Sequence, residues 1–306
     1  MTAQDRSVIS IRDFDRSRII DVLGLAARME AEDHYGLLAG RILATLFLEP
    51  STRTRLSFAA AMMRLGGSVL DFGDVEHSSF KKGETLSDTI RIVAGYCDVI
   101  AMRHPWEGAA RMAAEIAGVP VINGGDGANQ HPTQTFLDLY TIRKVKGRLD
   151  GLTVGFLGDL KYGRTVHSLA TALGRFDCRQ VFVAPPSLAV PGDLLLELDE
   201  QGAAYEQADD IRAVLPELDI LYSTRIQQER FPDIIEYERV KGAFRLDRAL
   251  LEDAGVKDSL RIMHPLPRVD ELSPDLDDTP YAVYFEQARN GVPVRQALLA
   301  MVLEKA

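Results

Sequence analysis

The chain is poor in cysteine and has no long apolar run. Cys97 and Cys178 are its only cysteines. They lie far apart and form no CxxC, which excludes a disulfide framework and a zinc ribbon. No apolar run approaches the ~20 residues of a membrane span. The N-terminus, Met1-Thr2-Ala3-Gln4-Asp5-Arg6, is polar and lacks the apolar core of a secretion signal, so the cytoplasm is the expected compartment. Positive charge is also in deficit: 35 Lys and Arg stand against 45 Asp and Glu, a net charge of −10. That argues against general nucleic-acid binding, and any anion must be held by a local cluster against the overall field.

Familiar cofactor and nucleophile motifs are missing as well. The stretch Gly155-Phe156-Leu157-Gly158-Asp159-Leu160-Lys161-Tyr162-Gly163-Arg164 fits neither GxGxxG nor GxxxxGK[ST], whose spacings carry the phosphate-binding mechanism. No Gly-x-Ser-x-Gly elbow occurs, which disfavours a nucleophilic hydrolase. The six histidines never fall at HxxxH spacing and have no clustered carboxylates, so no metal site and no cofactor are expected. Repeats of 20–50 residues and low-complexity segments are absent too.

What remains is a 306-residue chain, 46% hydrophobic, long enough for about two domains of ~150 residues. An amphipathic helix with Ile19, Val22, Leu23 and Ala26 opens it. Strands are predicted at residues 42–48, 68–72, 98–102 and 119–122, with helices from residue 52, over 84–96 and over 106–117. A helix from Pro132 to about Val145 bridges to a second series. There, strands are predicted at 152–157, 180–184, 219–222 and 261–263. Helices are predicted over 165–176, 192–200, 209–215, 233–244 and 247–254, and from Gln287 to the end, with Val292, Val294, Leu298 and Val302 as the last helix's apolar face. Strand–helix alternation predicts α/β architecture: two doubly wound lobes, each a parallel sheet flanked by helices. The polar loop over residues 73–83 is long for such a fold, and long loops are often functional.

The chemistry-bearing residues fall where strands end, the place where open parallel sheets bind ligands. This predicts one composite cleft. The densest stretch is Phe47-Leu48-Glu49-Pro50-Ser51-Thr52-Arg53-Thr54-Arg55-Leu56-Ser57-Phe58. Pro50 ends a strand, and Leu56, Ala59, Ala60, Met62 and Met63 recur at helical spacing. Three hydroxyls and two guanidiniums therefore gather at a helix N-terminus, whose free N–H groups and partial positive charge suit phosphate. The competing reading is an ordinary capped helix. Arg103 follows another strand, and an Arg there can polarise a carbonyl. His131 and Gln134 stand at i and i+3 on the bridging helix's first turn. Arg164 and Arg225 suit a ligand with two carboxylates, although each is also explained by an ordinary ion pair. His264-Pro265-Leu266-Pro267-Arg268 is a rigid turn, a place where an X-Pro bond can be cis, and its carbonyls can accept from an amine.

Taken together, Ser51–Arg55, His131-Pro132-Thr133-Gln134 and His264–Arg268 resemble the carbamoyltransferases. With Lys82-Gly83-Glu84-Thr85-Leu86, residues 102–105, 125–139, 158–167 and 224–230, they resemble the catalytic chains of the aspartate branch over nearly the whole length. The resemblance implies transfer of the carbamoyl group of carbamoyl phosphate to L-aspartate. It places a carbamoyl-phosphate-binding domain at residues 1–132 plus 287–306, an aspartate-binding domain at 148–286 and a linking helix at 133–147, with the C-terminal helix returning to the first lobe.

The resemblance also assigns roles. Ser51, Thr52, Arg53 and Thr54 match the phosphate binders. Thr54, Arg103 and His131 match the groups around the carbamoyl oxygen. Gln134, with carbonyls near Pro265 and Leu266, matches the reader of the carbamoyl nitrogen. Arg164, Arg225 and Gln227 match the aspartate binders. Ser78, preferred over Ser79, and Lys82 match loop residues that a neighbouring subunit contributes in a homotrimer with shared active sites. Glu49 and Arg230 match a pair that holds closed lobes, and Arg55 is left to structure. Regulatory chains or a dihydroorotase are the further protein partners left open for such a trimer. The ornithine branch is disfavoured: Pro265 stands where that branch has Cys, and no Ser-Met-Gly occurs.

Overall fold

The computed structural model describes residues 2–72, 83–226 and 244–305. The chain divides into two compact units, Met1–Tyr140 with Asn290–Ala306, and Thr141–Arg289.

The first unit is built on four parallel strands, β1 (Ile42–Phe47), β2 (Ser68–Asp71), β3 (Val99–His104) and β4 (Val121–Asp126), in the order β2-β1-β3-β4. Helices α1 (Arg16–Ala31), α2 (Thr52–Arg64), α3 (Leu86–Ala94), α4 (Ala109–Ile116) and α5 (Pro132–Lys146) accompany them. The apolar β1 and β3 are central because both their faces are covered. Leu46, Ile100, Met102 and Val121 pack with Ile90 of α3 and Ala113 of α4. Each fully buried large aliphatic side chain there contributes roughly 1.5–3 kcal/mol. Local chemistry sets the helix starts: Asp15 Oδ1 accepts from Arg18 N at 2.8 Å and Thr85 Oγ1 from Asp88 N at 3.2 Å.

The second unit has five parallel strands, β5 (Leu152–Leu157), β6 (Cys178–Val183), β7 (Ala204–Ala208), β8 (Ile220–Ser223) and β9 (Arg261–Met263), ordered β7-β6-β5-β8-β9. Its helices include α6 (Arg164–Leu173), α7 (Gly192–Glu200), α8 (Ile211–Val214), α9 (Arg248–Ala254) and α10 (Tyr284–Val302), the last continuing into the first unit. One face of this sheet rests on a core of Val181, Leu215, Leu221, Leu251, Ile262 and Tyr284. The parallel two-sheet α/β architecture is as the sequence predicts.

Several details differ. Strand β7 is not predicted, because Ala-Tyr-Glu-Gln-Ala is polar; it lies at the sheet edge and, among the described residues, pairs only with β6. Strand β3 continues through Arg103 and His104, and β4 through Asn-Gly-Gly-Asp, where the sequence suggests a loop and a turn. The exposed side of α2 carries Leu56 and Met63, whereas Phe58, Ala61 and Met62 are buried. The predicted helix over 209–215 stops at Val214, and a 3-10 turn carrying Pro216 follows. Helix α10 starts at Tyr284, and all residues from Pro293 to Ala300 are buried, so it has no single apolar face there. The helix predicted over 233–244 lies almost wholly outside the described residues. Among the described residues no helix is long and apolar enough to cross a membrane.

Candidate active site

In each sheet the chain starts at an inner strand, winds outward on one side and then crosses to the other. Ligands of open parallel sheets sit at the carboxyl ends beside that reversal. In the first unit the reversal lies between β1 and β3, where Phe47 pairs with Arg103 and Leu48 N donates to Arg103 O at 2.8 Å. In the second it lies between β5 and β8, where Leu157 pairs with Ser223 and Thr224 N donates to Leu157 O at 2.8 Å. Both reversals coincide with predicted site residues.

At the first reversal, Ser51 is the extended N-cap of α2, and its side chain makes no capping hydrogen bond. The first backbone N–H groups of α2 have no intrahelical acceptor, and the helix dipole adds partial positive charge. Thr52 and Arg53 are exposed, Ser51 is half-buried and Thr54 is buried. Arg55 turns aside to Asp71, 3.5 Å away. Arg103 Nη2 donates to Glu49 Oε1 at 2.8 Å and its Nη1 to Gly124 O at 3.4 Å. A Cβ on Gly124 would stand 3.4 Å from Thr54 Cγ2 and 3.0 Å from Met102 O; the glycine lets the start of α2 close on the end of β4. Arg103, Gly124 and Thr54 thus form one packed cluster at the sheet's carboxyl edge.

His131 precedes Pro132, which suits the first position of α5. Gln134 N and Thr135 N both donate to His131 O, at 3.0 and 3.2 Å. The turn that delivers His131 is organised by Asp126, which is 1% exposed. Its Oδ1 accepts from Asn123 Nδ2 and Gln130 N, and its Oδ2 from Gly108 N and Asn129 Nδ2. Asp126 and Asn123 organise this turn, and the sequence reading did not single them out. An Asn and an Asp inside a glycine-rich stretch were the available signal. Close by, His104 Nδ1 accepts from Trp106 N at 2.9 Å. Burial pulls the His104 imidazole below its ordinary pKa, against the Asp126 and Glu49 charges.

In the second unit, Arg164 opens α6 and is buried, and Arg225 lies half-buried two residues past β8. Gly158 stands at φ +118°, and a Cβ there would meet Thr224 O at 2.3 Å, so the segment leading to Arg225 rests directly on Gly158. The late turn is fixed from within. Leu266 N donates to His264 Nδ1 at 2.9 Å, so the ring proton resides on Nε2, which donates to Glu271 Oε1 at 2.8 Å. His264 N donates to Gln287 Oε1 at 2.8 Å. The Leu266–Pro267 bond is cis, and Leu266 has φ +55°. Burial raises the Glu271 carboxyl and the His264 hydrogen bond lowers it, with further help from backbone N–H groups; the net shift is downward. Ser78, Ser79, Lys82, Gln227 and Arg230 lie outside the described residues.

Known proteins match the chain over nearly its whole length. The model for the carbamoyl-P binding domain of aspartate/ornithine carbamoyltransferase matches residues 6–144, and the model for the Asp/Orn binding domain matches residues 150–302. An aspartate carbamoyltransferase catalytic subunit from Methanopyrus kandleri is 57% identical over 302 residues, covering 98% of this chain and 97% of that protein. One from Chromobacterium violaceum is 54% identical, covering 98% of each. Among solved structures, the catalytic subunit of M. jannaschii aspartate transcarbamoylase superposes with a TM-score of 0.90 at 49% identity, covering 98% of both chains. Trypanosoma cruzi aspartate transcarbamoylase in complex with carbamoyl phosphate and aspartate gives 0.90 at 42% identity, covering 96% of this chain and 95% of that one. With two family models spanning nearly all its residues and relatives above half identity, the chain belongs to the aspartate/ornithine carbamoyltransferase family.

Proposed function

We propose that the chain transfers the carbamoyl group of carbamoyl phosphate to the amine of L-aspartate, giving N-carbamoyl-L-aspartate and phosphate, the carbamoylation step of de novo pyrimidine synthesis. The observation that carries this is the packed cluster of Arg103, Gly124 and Thr54 at the hydroxyl-rich start of α2. It unites a phosphate cradle with donors for a developing oxyanion in a chain of net charge −10. The preference for aspartate over ornithine is supported by the names of the relatives and by Trypanosoma cruzi structures holding carbamoyl phosphate, aspartate or carbamoyl aspartate.

In this reading residues 1–132 with 287–306 bind carbamoyl phosphate, residues 148–286 bind aspartate, and 133–147 link them. The phosphate sits on the N-terminus of α2, held by Ser51, Thr52, Arg53 and Thr54. Arg164, Arg225 and Gln227 hold the two carboxylates of aspartate, and its neutral amine attacks the carbamoyl carbon. Thr54, Arg103 and His131 donate to the oxygen as it becomes an oxyanion. Gln134 and the carbonyls near Pro265 and Leu266 read the carbamoyl nitrogen. The C–O bond to phosphate breaks as the amine proton passes to the leaving group, so no protein nucleophile is needed. Holding both substrates supplies the rest of the rate through proximity.

The reading extends to a cytoplasmic homotrimer in which a neighbouring subunit contributes Ser78 and Lys82. Incubating purified protein with carbamoyl phosphate and either amino acid tests the assignment. Ureido product from aspartate is expected. Product from ornithine but not from aspartate would overturn it.

A further inference from the structure

Behind His131 and Gln134 lie two buried charged side chains that the proposed chemistry does not touch. Arg295 on α10 is 2% exposed and Asp138 on α5 is fully buried. Burial pulls the guanidinium below its ordinary pKa, and the Asp138 charge opposes that pull. Arg295 Nη1 donates to Gly291 O at 3.0 Å, its Nη2 to Thr133 Oγ1 at 3.4 Å, and its guanidinium lies 5.1 Å from the centre of the Phe58 ring. All these residues belong to the first unit.

Hydrogen-bond logic runs outward from this pair in two directions. A carboxylate accepts and does not donate. Gln134 therefore presents its amide NH2 to Asp138, Nε2 to Oδ1 at 2.9 Å, and its Oε1 is turned away from that carboxylate. A guanidinium only donates. Thr133 Oγ1 accepts from Arg295 and lies 3.4 Å from His131 Nδ1, where its O–H can donate to that nitrogen. A ring whose Nδ1 accepts that bond carries its proton on Nε2.

We propose that Asp138 and Arg295 set the hydrogen-bond polarity of the groups that read the carbamoyl head: Asp138 makes Gln134 an acceptor for its NH2, and Arg295, through Thr133, makes His131 an Nε2 donor for its carbonyl oxygen. Arg295, Asp138 and Thr133 are then positioning residues, and they determine specificity. Acetyl phosphate has the shape of carbamoyl phosphate with methyl in place of NH2. An acceptor fixed at that position favours the carbamoyl compound, whereas a freely turning amide discriminates less. The inference rests on the carbamoyl phosphate reading above.

The test compares kcat/KM for carbamoyl phosphate with kcat/KM for acetyl phosphate, aspartate being the amine in both; the second reaction forms N-acetylaspartate and phosphate. Asp138→Asn offers Gln134 a donor as well as an acceptor. The ratio is expected to fall about tenfold, the worth of one net hydrogen bond. In a Gln134→Ala background, Asp138→Asn is expected to change the ratio no further. Because Asp138→Asn strands a buried guanidinium, the double replacement Asp138→Leu with Arg295→Met, which removes both charges, is expected to give the same fall in a chain whose thermal melt is preserved. A folded variant of either kind that keeps the wild-type ratio overturns the proposal, as does an undiminished effect of Asp138→Asn in the Gln134→Ala background. The His131 limb is read without turnover. In 15N-labelled protein at neutral pH the ring shifts should report the Nε2–H tautomer, and Thr133→Val should mix the tautomers; an Nδ1–H ring in the wild type overturns it. If that measurement succeeds while the wild type forms no ureido product, the substrate reading fails and the polarity assignment stands.

Discussion

Arg103 Nη2 donates to Glu49 Oε1 at 2.8 Å across the carboxyl ends of β1 and β3, with only 12% of the Arg103 side chain exposed. The carboxylate comes from the residue just before Pro50, and the guanidinium sits within the strand. Glu49 therefore aims Arg103 along the sheet edge. Removing an oxyanion donor typically costs ~10²–10³ in kcat, so Arg103→Met should lower kcat by about that factor, and it should also lower the melting temperature because Glu49 loses this partner. Glu49→Gln keeps an acceptor but loses the charge assistance and should lower kcat by only about tenfold. Steady-state kinetics alongside thermal melts separate the two.

Arg53 is exposed, on the first turn of α2. Its replacement by alanine removes little packing, and surface substitutions usually stay within about ±0.5 kcal/mol. Arg53→Ala should collapse kcat while unfolding stability stays near wild type. An unchanged kcat sinks its phosphate role.

Gly158 has φ +118° and almost touches Thr224 O through its missing Cβ. Gly158→Ala must strain the backbone, a cost of order 1–3 kcal/mol, and push the end of β8 that leads to Arg225. A lower melting temperature and a raised KM for aspartate are expected, with KM for carbamoyl phosphate changed less. An equal rise in both constants counts against a selective role for this end of the sheet.

Acid should weaken the two units in different windows. His104 has a folded pKa below its ordinary 6.5, chiefly from burial. The unfolded chain binds that proton more readily, so stability falls as pH drops below about 6.5. The folded pKa of Glu271 is below its ordinary 4.5; its contribution is full above that value and is lost as pH falls through the folded value. Urea unfolding midpoints measured from pH 8 to 3 should show both declines. Glu271→Gln should remove only the lower one.

Sharing of the site between subunits is tested by mixing inactive Lys82→Ala and Arg53→Ala chains. If the proposed trimer forms, activity should partly return in hybrids that carry one intact site. No recovery after subunit exchange has been verified by mass counts against sharing.

Much of the fold was legible because parallel strands buried on both faces read as apolar runs between helical periods. Residues 42–48 and 152–157 announced β1 and β5 in this way, and Pro50 and Pro132 placed the starts of α2 and α5. Strand β7 was illegible because an edge strand needs no apolar pattern. The polar ends of β3 and β4 were illegible because their strand character comes from pairing partners, not from their own side chains.

The sequence by itself determined the chemistry offered at the strand ends: hydroxyls and a guanidinium after β1, His131 and Gln134 on the first turn of α5, and Arg164 and Arg225 beyond β5 and β8. These follow from local rules of capping, turn formation and strand termination, which act over a few residues. Only the tertiary structure decided how those groups are aimed. Glu49 meets Arg103 from 54 residues away, and Thr133 meets Arg295 from 162 residues away. A polar group's partner in a buried site is chosen by the packing of distant segments, where an unsatisfied charge costs far more than it does in water, and no local pattern encodes that choice.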